Sequence, residues 1–585
     1  MVTPENEQES TIANPSFSTK IMLSRIGIGL LQGVILYFIY QAVGKKFDPQ
    51  ILFACFWLAC IIPIIGISSL GHLNKKQICS WLLMLAVITG GLALYAVWRT
   101  PGDTGLFYSP LMLAYPITLY IAHTLVLAGA LDKSFIASYP TYFAIAWKLL
   151  IQFIFSLLFV AALYAVLVLG STLFALVKLF FLRKLLLESW FVIPTITFAF
   201  AYAWHITDVK PGIIKGIRTL LLTLLSWILP IAVLLVTGFL LSLIWTGLDS
   251  LWKTRNATLS LLSIAIVLIL LINATFQNGR TSATLITQIC AKIGACLLLP
   301  ITGIAIYALA LRIGPYGWTD ERVIAAAILL IISCYAIGYL WAASQRGIAL
   351  QGIAKVNIIN ALIVISVILA LLTPLADPKR ISVNNQIHRL LTGKISVNDF
   401  DFDYLTSEGG RYGSSALAQI KNISDGADAS QIRDGAEQAL QKSTPQIKND
   451  VALSKQALQR NLTIWPKTMH LPDSFLQQSW IDQFYHVPNC LTTAGSYCDV
   501  YLQPNPNGLT TLILVPMEGL AAVFVQVGER WIMQGSLPLE FSQCSAFHKA
   551  LKAGQFQWIP STRKDLQIAG QRIELLINNH EIDCP

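Results

Sequence analysis

Long apolar runs, broken by short polar or basic turns, fill residues 21 to 376 of the chain. Crossing about 30 Å of hydrocarbon takes ~20 predominantly apolar residues in a helix. The runs predict helices at 21–43, 51–71, 78–98, 107–131, 147–177, 190–205, 219–246, 257–276, 285–311, 322–343 and 357–375, eleven in all. The shortest, Trp190 to His205, follows Lys178 to Glu188, where apolar and charged residues alternate in a pattern that suits a helix lying in the membrane plane. Pro63, Pro116, Pro194, Pro230 and Pro300 fall inside spans, and each removes one intrahelical hydrogen bond. Ser189-Trp190 before Pro194 echoes Ser226-Trp227 before Pro230, a thin hint of an internal repeat. Gly29 and Gly33 form a GxxxG in the first span, predicting close helix contact inside one bundle, with Gln32 able to hydrogen-bond across it.

After Ala376 the pattern changes. Residues 377–482 are polar and mostly helical in period, with breaks at Gly409-Gly410, Asp425-Gly426 and Pro466. Residues 483–585 alternate as short strands do, at Asp499–Leu502, Thr510–Val515, Ala521–Val527 and Trp531–Met533. A helix near Phe547–Ala553 and a strand near Gln571–Ile577 complete a small α+β domain. The first 20 residues are polar and acidic, read as a disordered terminus, and lack the basic region and cleavage site of a secretory signal. The expected fold is therefore mostly α: a polytopic transmembrane helical bundle of about eleven spans followed by a small α+β soluble domain.

Composition agrees. Hydrophobic residues make up 55% of the 585 and charged residues only 12%, with a mean hydropathy of +0.62, about half the charged share of a soluble globular chain. Residues 1–376 hold 23 basic and 11 acidic groups, whereas the rest holds 18 and 20. A basic excess confined to a bundle belongs at headgroups and short loops, and no basic-aromatic patch argues for nucleic acid. With the N-terminus cytoplasmic, inner loops carry twelve Lys/Arg and outer loops ten, which hardly biases orientation.

Cysteine usage adds more. Cys55, Cys60, Cys79, Cys290, Cys296 and Cys334 lie in apolar runs, as small hydrophobes do. Cys490, Cys498, Cys544 and Cys584 cluster in the polar tail, an even number that points to disulfides in an oxidising compartment, with all three pairings open. Eleven spans and a cytoplasmic N-terminus place that tail outside.

Polar side chains inside spans are the candidate chemistry, because a buried ionisable group is costly there. Lys292 and Gln288 share a helix face before Pro300; His123 and Asn273 lie in other spans; Gln152, Asn360, Lys148 and His205 complete the set. No acidic residue lies deep in a predicted span, which weighs against a proton pump built on carboxylates. Lys292 also lies close enough to its helix start to snorkel.

A second candidate is the interfacial turn 312–322. Gly314-Pro315 and Gly317 favour a tight turn. Thr319 is placed to cap the next helix, with Asp320 and Glu321 in its first turn. Tyr316 and Trp318 suit headgroup depth, and Arg312 and Arg322 bracket the loop. Asp399, Asp401 and Asp403 would share one face of a strand, as a hard-cation site or as a solvated face over Phe400 and Phe402. Gln503–Gly508 lacks the carboxylates of a calcium loop and reads as a hairpin turn. No hydrolase, zinc, P-loop, dinucleotide or kinase signature occurs, so no catalytic residue, metal or cofactor is assigned.

The turn at 312–322, "KPGIIKGIRTLLLTLLSWILP" at 210–230, "INATFQNG" at 272–279, "TPLADPKRISVNNQIHRLLTGK" at 373–394 and "FDYLTSEGGRYG" at 402–413 together resemble the bacterial membrane family known as domain of unknown function 4153. The resemblance runs from about residue 25 to about 415. It implies a multi-pass inner-membrane protein of bacteria with a polar C-terminal extension, and it carries over no catalytic residues. Longer relatives often have an acidic, calcium-like loop in the tail, from which Asn505 and Asn507 depart.

Three functional readings follow. The first is a non-enzymatic protein of envelope assembly or sensing, with the bilayer and periplasmic or envelope proteins as partners. The second is a small-solute permease using proline-broken helices and Lys292. The third is an enzyme on a lipid-linked substrate using the 312–322 charges. Eleven spans also predict that this turn meets residues 402–413 on one face.

Overall fold

The computed structural model describes residues 19–43, 47–100, 110–248, 257–279, 284–345, 352–423, 428–443, 453–467, 469–478, 480, 487–493, 495–504, 510–516, 521–527, 530–537, 545–553, 566–568 and 571–573. Residues 1–18 of the expected disordered stretch 1–20, the 505–508 part of the Gln503 turn, Cys544 and Cys584 lie outside them, while Thr19 and Lys20 already belong to a helix. The chain forms two compact units that divide between Ser443 and Thr444.

The first unit holds the membrane helices. They are α1 (Thr19–Ala42), α2 (Pro49–Ser69), α3 (Lys75–Arg99), α4 (Pro110–Asp132), α5 (Tyr139–Leu176), α6 (Phe181–Leu187), α7 (Ser189–Val209), α8 (Pro211–Thr246), α9 (Ala257–Phe276), α10 (Leu285–Tyr316), α11 (Asp320–Ser344) and α12 (Gly352–Leu372). Ten are long and apolar enough to cross a bilayer, and α6 with α7 forms a further pair bent by 81°. Their outer faces expose side chains such as Leu83, Val87, Leu234 and Leu235, a surface tolerable only against lipid.

Contacts place several helix ends on a common side. Asp208 at the end of α7 pairs with Arg25 near the start of α1 and with Lys148 near the start of α5. α5 therefore leaves the side on which α1 begins, and the bent pair returns to it. Tyr139 at the start of α5 touches Phe276 at the end of α9 and bonds Asn357 at the start of α12. With α7 counted, eleven crossings place Leu372 opposite the start of α1.

Two apolar cores hold the bundle. One joins α2, α3, α4 and the first half of α5 with Phe200, Ala201 and Trp204 of α7. The other joins α8 to α12. Helix α1 lies on α7 through its small residues: a Cβ at Gly29 would stand 2.6 Å from the Ala201 Cβ, and one at Gly33 would stand 2.5 Å from the Pro194 Cα. Gln32 faces the other way and donates to Ala59 O at 3.1 Å and Cys60 O at 3.3 Å. Ala59 O is the carbonyl that Pro63, four residues on, leaves without its helical donor. Gln32 thus repairs the proline break.

Beyond α12, the first unit continues as a polar cap: α13 (Pro378–Leu391), a 3₁₀ turn at Val397–Asp399, α14 (Phe402–Ser407), α15 (Gly410–Ile420) and α16 (Ala429–Ser443). Val383, Leu390, Phe400, Leu405, Leu417 and Ile432 form its core. Asp399, Asp401 and Asp403 form a solvated face over buried Phe400 and half-buried Phe402, carried by the 3₁₀ turn and the start of α14 and not by a strand. Asp399 pairs with Ser396, Asp401 caps α14 through the Tyr404 N–H at 2.9 Å, and Phe400 stacks edge-on against Phe402. Local side-chain capping outcompetes the alternating pattern.

The second unit carries α17 (Lys455–Asn461), β1 (Leu462–Trp465), α18 (Asp473–Gln477), β2 (Cys498–Pro504), β3 (Thr510–Pro516), β4 (Ala522–Val527), β5 (Arg530–Ser536), α19 (Ser545–Lys552), β6 (Leu566–Ile568) and β7 (Gln571–Ile573). The five-stranded sheet runs β1 to β5 in order, parallel at β1–β2 and antiparallel elsewhere. Phe475, Trp480, Phe524 and Trp531 pack in one cluster with it, edge to face except for the tilted Phe475–Trp480 pair. Strand β1 falls where the sequence predicts helix, because Leu462 to Trp465 is a strand-length apolar run inside a polar stretch.

Substituting Gly33 by Val tests the α1–α7 contact. The added groups meet Thr197 and Pro194, and overpacking of this kind costs about 1–3 kcal/mol. Thermal unfolding of purified protein should drop accordingly, while Gly27→Val, where no atom lies within 4 Å of a Cβ, should leave it unchanged.

Candidate functional site

Four helices converge on one carboxylate. Asp208 is 1% exposed and lies one residue before the end of α7. Its Oδ2 accepts from Arg25 at 2.7 Å, and its Oδ1 accepts from Lys148 at 2.8 Å and Gln152 at 3.0 Å. Lys148 and Gln152 are four apart on α5 and so present one face.

Arg25 does more than pair. Its guanidinium also donates to Ile67 O at 3.2 Å and Leu70 O at 2.7 Å, carbonyls that the end of α2 leaves without helical donors. A fourth contact runs from Nη1 to His205 Nδ1 at 3.3 Å. On the other side, Lys148 Nζ lies 3.1 Å from His72 Nε2. An ammonium only donates, so this nitrogen accepts and His72 is neutral. Burial and the Lys148 charge both push its pKa below the ordinary histidine value.

The centre therefore holds two basic side chains, one carboxylate and two imidazoles, with His72 Nε2 also 3.8 Å from Asp208 Oδ1. A cavity of about 20 Å³ adjoins His72 and Lys148, room for one water. Arg25 and Lys148 both have acceptors, so chemically the centre is a clamp on α1, α2, α5 and α7 with a surplus of basic side chains.

His123 sits nearby on α4. The indole N–H of Trp81 donates to its Nδ1 at 3.1 Å, so Nε2 carries the hydrogen and donates to Ser68 Oγ at 2.7 Å, which donates on to Ile65 O. Asn273 belongs to the other core, in a closed neutral ring. Its Nδ2 donates to Tyr339 OH at 2.6 Å, Tyr339 donates to Asn357 Oδ1 at 2.8 Å, and Asn357 Nδ2 donates to Asn273 Oδ1 at 2.6 Å and to Tyr139 OH at 3.0 Å. Lys292 and Gln288 are half-buried on α10, and none of these networks includes Lys292. The structure thus disperses the four candidates of the membrane polar site rather than gathering them.

The interfacial turn has a different role from that of a site. Helix α10 runs through Pro315 to Tyr316, so the turn begins at Gly317, whose φ of +71° suits glycine, and not at Gly314-Pro315. Thr319 stands at the cap position of α11 without a side-chain cap bond. The turn's free carbonyls are taken by α13. Arg389 donates to Gly314 O and Pro315 O, Gln386 to Tyr316 O and Trp318 O, and Ser382 to Trp318 O, while Asn385 accepts from the Trp318 N–H. Arg322 bonds Gly317 O and lies 5.6 Å from the ring of Tyr316, which stays exposed. Asp320 meets Lys379 at 3.8 Å and the Tyr404 hydroxyl at 3.3 Å. The expected meeting of this turn with 402–413 therefore occurs, through Tyr404, but α13 makes most of the joint.

A second buried carboxylate locks the cap. Asp377, 0% exposed, caps α13 with Oδ1 on the Lys379 and Arg380 N–H groups, while Oδ2 accepts from Tyr95 at 2.6 Å and Arg99 at 3.3 Å. Tyr412 donates to the Tyr95 oxygen at 2.9 Å, and Arg411 stacks on Trp98. Gly410, with φ +55°, brings that segment so close that a Cβ would stand 2.6 Å from Arg99 O.

Residues 53–421, from α2 through α15, match the family described as domain of unknown function (DUF4153). The chain belongs to that family. The matched range contains Asp208, Asp377, the 312–322 turn and the "EGGRYG" segment, and it leaves out Arg25 and the second unit. No curated protein and no solved structure matches the chain.

In the second unit, Cys490 and Cys498 form a disulfide with Cα atoms 5.9 Å apart. Among the described residues, no group of three or more His, Cys, Asp or Glu could hold a metal ion.

Two substitutions test the clamps. Asp208→Ala strands Arg25 and Lys148 in the interior and should destabilise the bundle by about 3–5 kcal/mol. The triple change Arg25→Met, Lys148→Met, Asp208→Leu should recover most of the lost thermal stability. Asp377→Ala removes a cap and the partner of Arg99 together. Amide exchange in α13–α16 should then accelerate at least tenfold, the factor that about 1.4 kcal/mol represents, with α8–α10 unchanged.

Proposed function

We propose that this chain is a non-enzymatic, multi-pass protein of the bacterial inner membrane, with a role in envelope assembly or sensing. The observation that carries the reading is the lock at Asp377: a polar cap fastened rigidly to the bundle, on the side opposite the start of α1. A cap held by a buried carboxylate, three tyrosine contacts and the 312–322 turn offers a fixed surface rather than a moving lid. The disulfide in the second unit supports an oxidising compartment for the tail. That is the periplasm if α1 begins in the cytoplasm.

The alternatives have less to rest on. The charges at 312–322 that an enzyme on a lipid-linked substrate would need are engaged with α13 and Tyr404. A permease built on Lys292 needs a polar cavity beside it, whereas the 910 Å³ cavity among the described residues is lined by α3, α4 and α12.

Topology and role are tested together. A phosphatase reporter joined after Ser443 should be active, and Cys490 and Cys498 in the intact chain should resist a thiol probe until reduced. A strain lacking the protein should show altered sensitivity to envelope stress, restored by the wild-type chain and not by Asp377→Ala expressed at equal level. A cytoplasmic reporter signal overturns the topology. Rescue by Asp377→Ala overturns the role of the locked cap.

A further inference from the structure

A cavity of about 910 Å³ opens on the flank of the bundle between α3, α4 and α12. Its walls include Met84, Leu85, Ile88, Leu119, Leu362 and Leu369. Met84 and Leu362 are about half exposed, so it is a lateral groove facing the lipid. Along α3 it extends from Gln77 to Ile88, about 16 Å at the helical rise. That is close to the ~15 Å hydrocarbon depth of one leaflet.

Most polar groups along the apolar wall bond within the protein. The Trp81 indole is on His123, the Tyr115 hydroxyl on Thr89, the Tyr142 hydroxyl on the Ala137 N–H, and the Thr118 hydroxyl on Ala114 O. Gln77 and Ser80 bond within the first turns of α3. A polar solute would find few groups to replace its water, whereas an alkyl chain would need none.

The mouth is different. Lys133 lines it, and Lys75 and Lys76 occupy the adjoining first turn of α3, all exposed. No Asp or Glu lines the groove. The neighbouring Asp132 is turned to the Ser138 N–H and the Thr141 hydroxyl. Phe135 stands 99% exposed at the tip of the same turn, beside Ile136, an apolar pair suited to headgroup depth.

We propose that this groove seats an acyl chain of an anionic phospholipid from the leaflet on the side where α1 begins, with the headgroup at Lys133, Lys75 and Lys76. Groove length, apolar wall and one-signed rim select that occupant together. The inference rests on the membrane architecture and is independent of the envelope reading.

The test uses the full chain in phosphatidylcholine vesicles doped with a phosphatidylglycerol that carries a photoactivatable group in one acyl chain. Labelling should concentrate on peptides covering 77–88 and 118–130. Ala122→Phe and Ala130→Phe, which fill the groove, should each lower it about tenfold, while Val87→Phe on the exposed outer surface should not. On the unaltered chain, unlabelled phosphatidylglycerol should compete about fivefold better than phosphatidylcholine, and Lys133→Ala should abolish most of that preference. Labelling spread evenly over the outer helices and indifferent to Ala122→Phe overturns the site. Equal competition by the two lipids overturns its preference for anionic headgroups. Because the competition needs no variant, a misfolded substitution leaves the proposal open to refutation.

Discussion

The bundle depends on one carboxylate that water cannot reach. Asp208 balances Arg25 and Lys148 where each charge alone would cost several kcal/mol to bury, so none of the three can move without stranding the others. Because Arg25 also holds the last carbonyls of α2, the constraint reaches four helices through a single acidic group. Between lipid-facing helices apolar packing barely fixes register, since the lipid chains are as apolar as the side chains. An ionic knot at the helix ends does fix it.

The second core solves the same problem without charge. Asn273, Tyr339 and Asn357 close a neutral ring across α9, α11 and α12 that Asn357 extends to Tyr139 of α5, so neither core relies on shape alone. On the opposite face Asp377 repeats the ionic solution, joining the α3 end to the cap. A buried carboxylate thus secures each side of the membrane. The 312–322 turn, dense in charge and aromatic residues, serves the second of these joints.

Much of this was legible in advance. The spans follow from apolar run length, the tail strands from alternation, and the GxxxG contact from two glycines four apart. The ionic centre was not, for a specific reason. The apolar run of α7 stops at His205, so Asp208 reads as a loop charge, whereas the helix continues to Val209 and buries it. Arg25 reads as one more basic residue near a helix start. A usable signal was present: His205 and Asp208 are three apart and share a helix face, and Lys148 and Gln152 share another. Their meeting joins residues as much as 183 positions apart, which no local pattern contains. Asn357 was lost similarly, as the first residue of a predicted span, and the candidates Lys292, Gln288, His123 and Asn273 were linked only by polarity.

The ionic knot and the flank groove share a boundary. Trp81 lines the groove and fixes its indole on His123, which bonds Ser68 at the end of α2. That same helix end is held by Arg25, hence by Asp208. Contiguity of this kind is not evidence of coupling between sites, but it has a direct energetic consequence. The wall that a lipid chain would meet is already ordered by bonds the protein makes for its own folding. A preformed wall spares an incoming chain the cost of immobilising side chains. The requirement that keeps the helices in register therefore also shapes the groove.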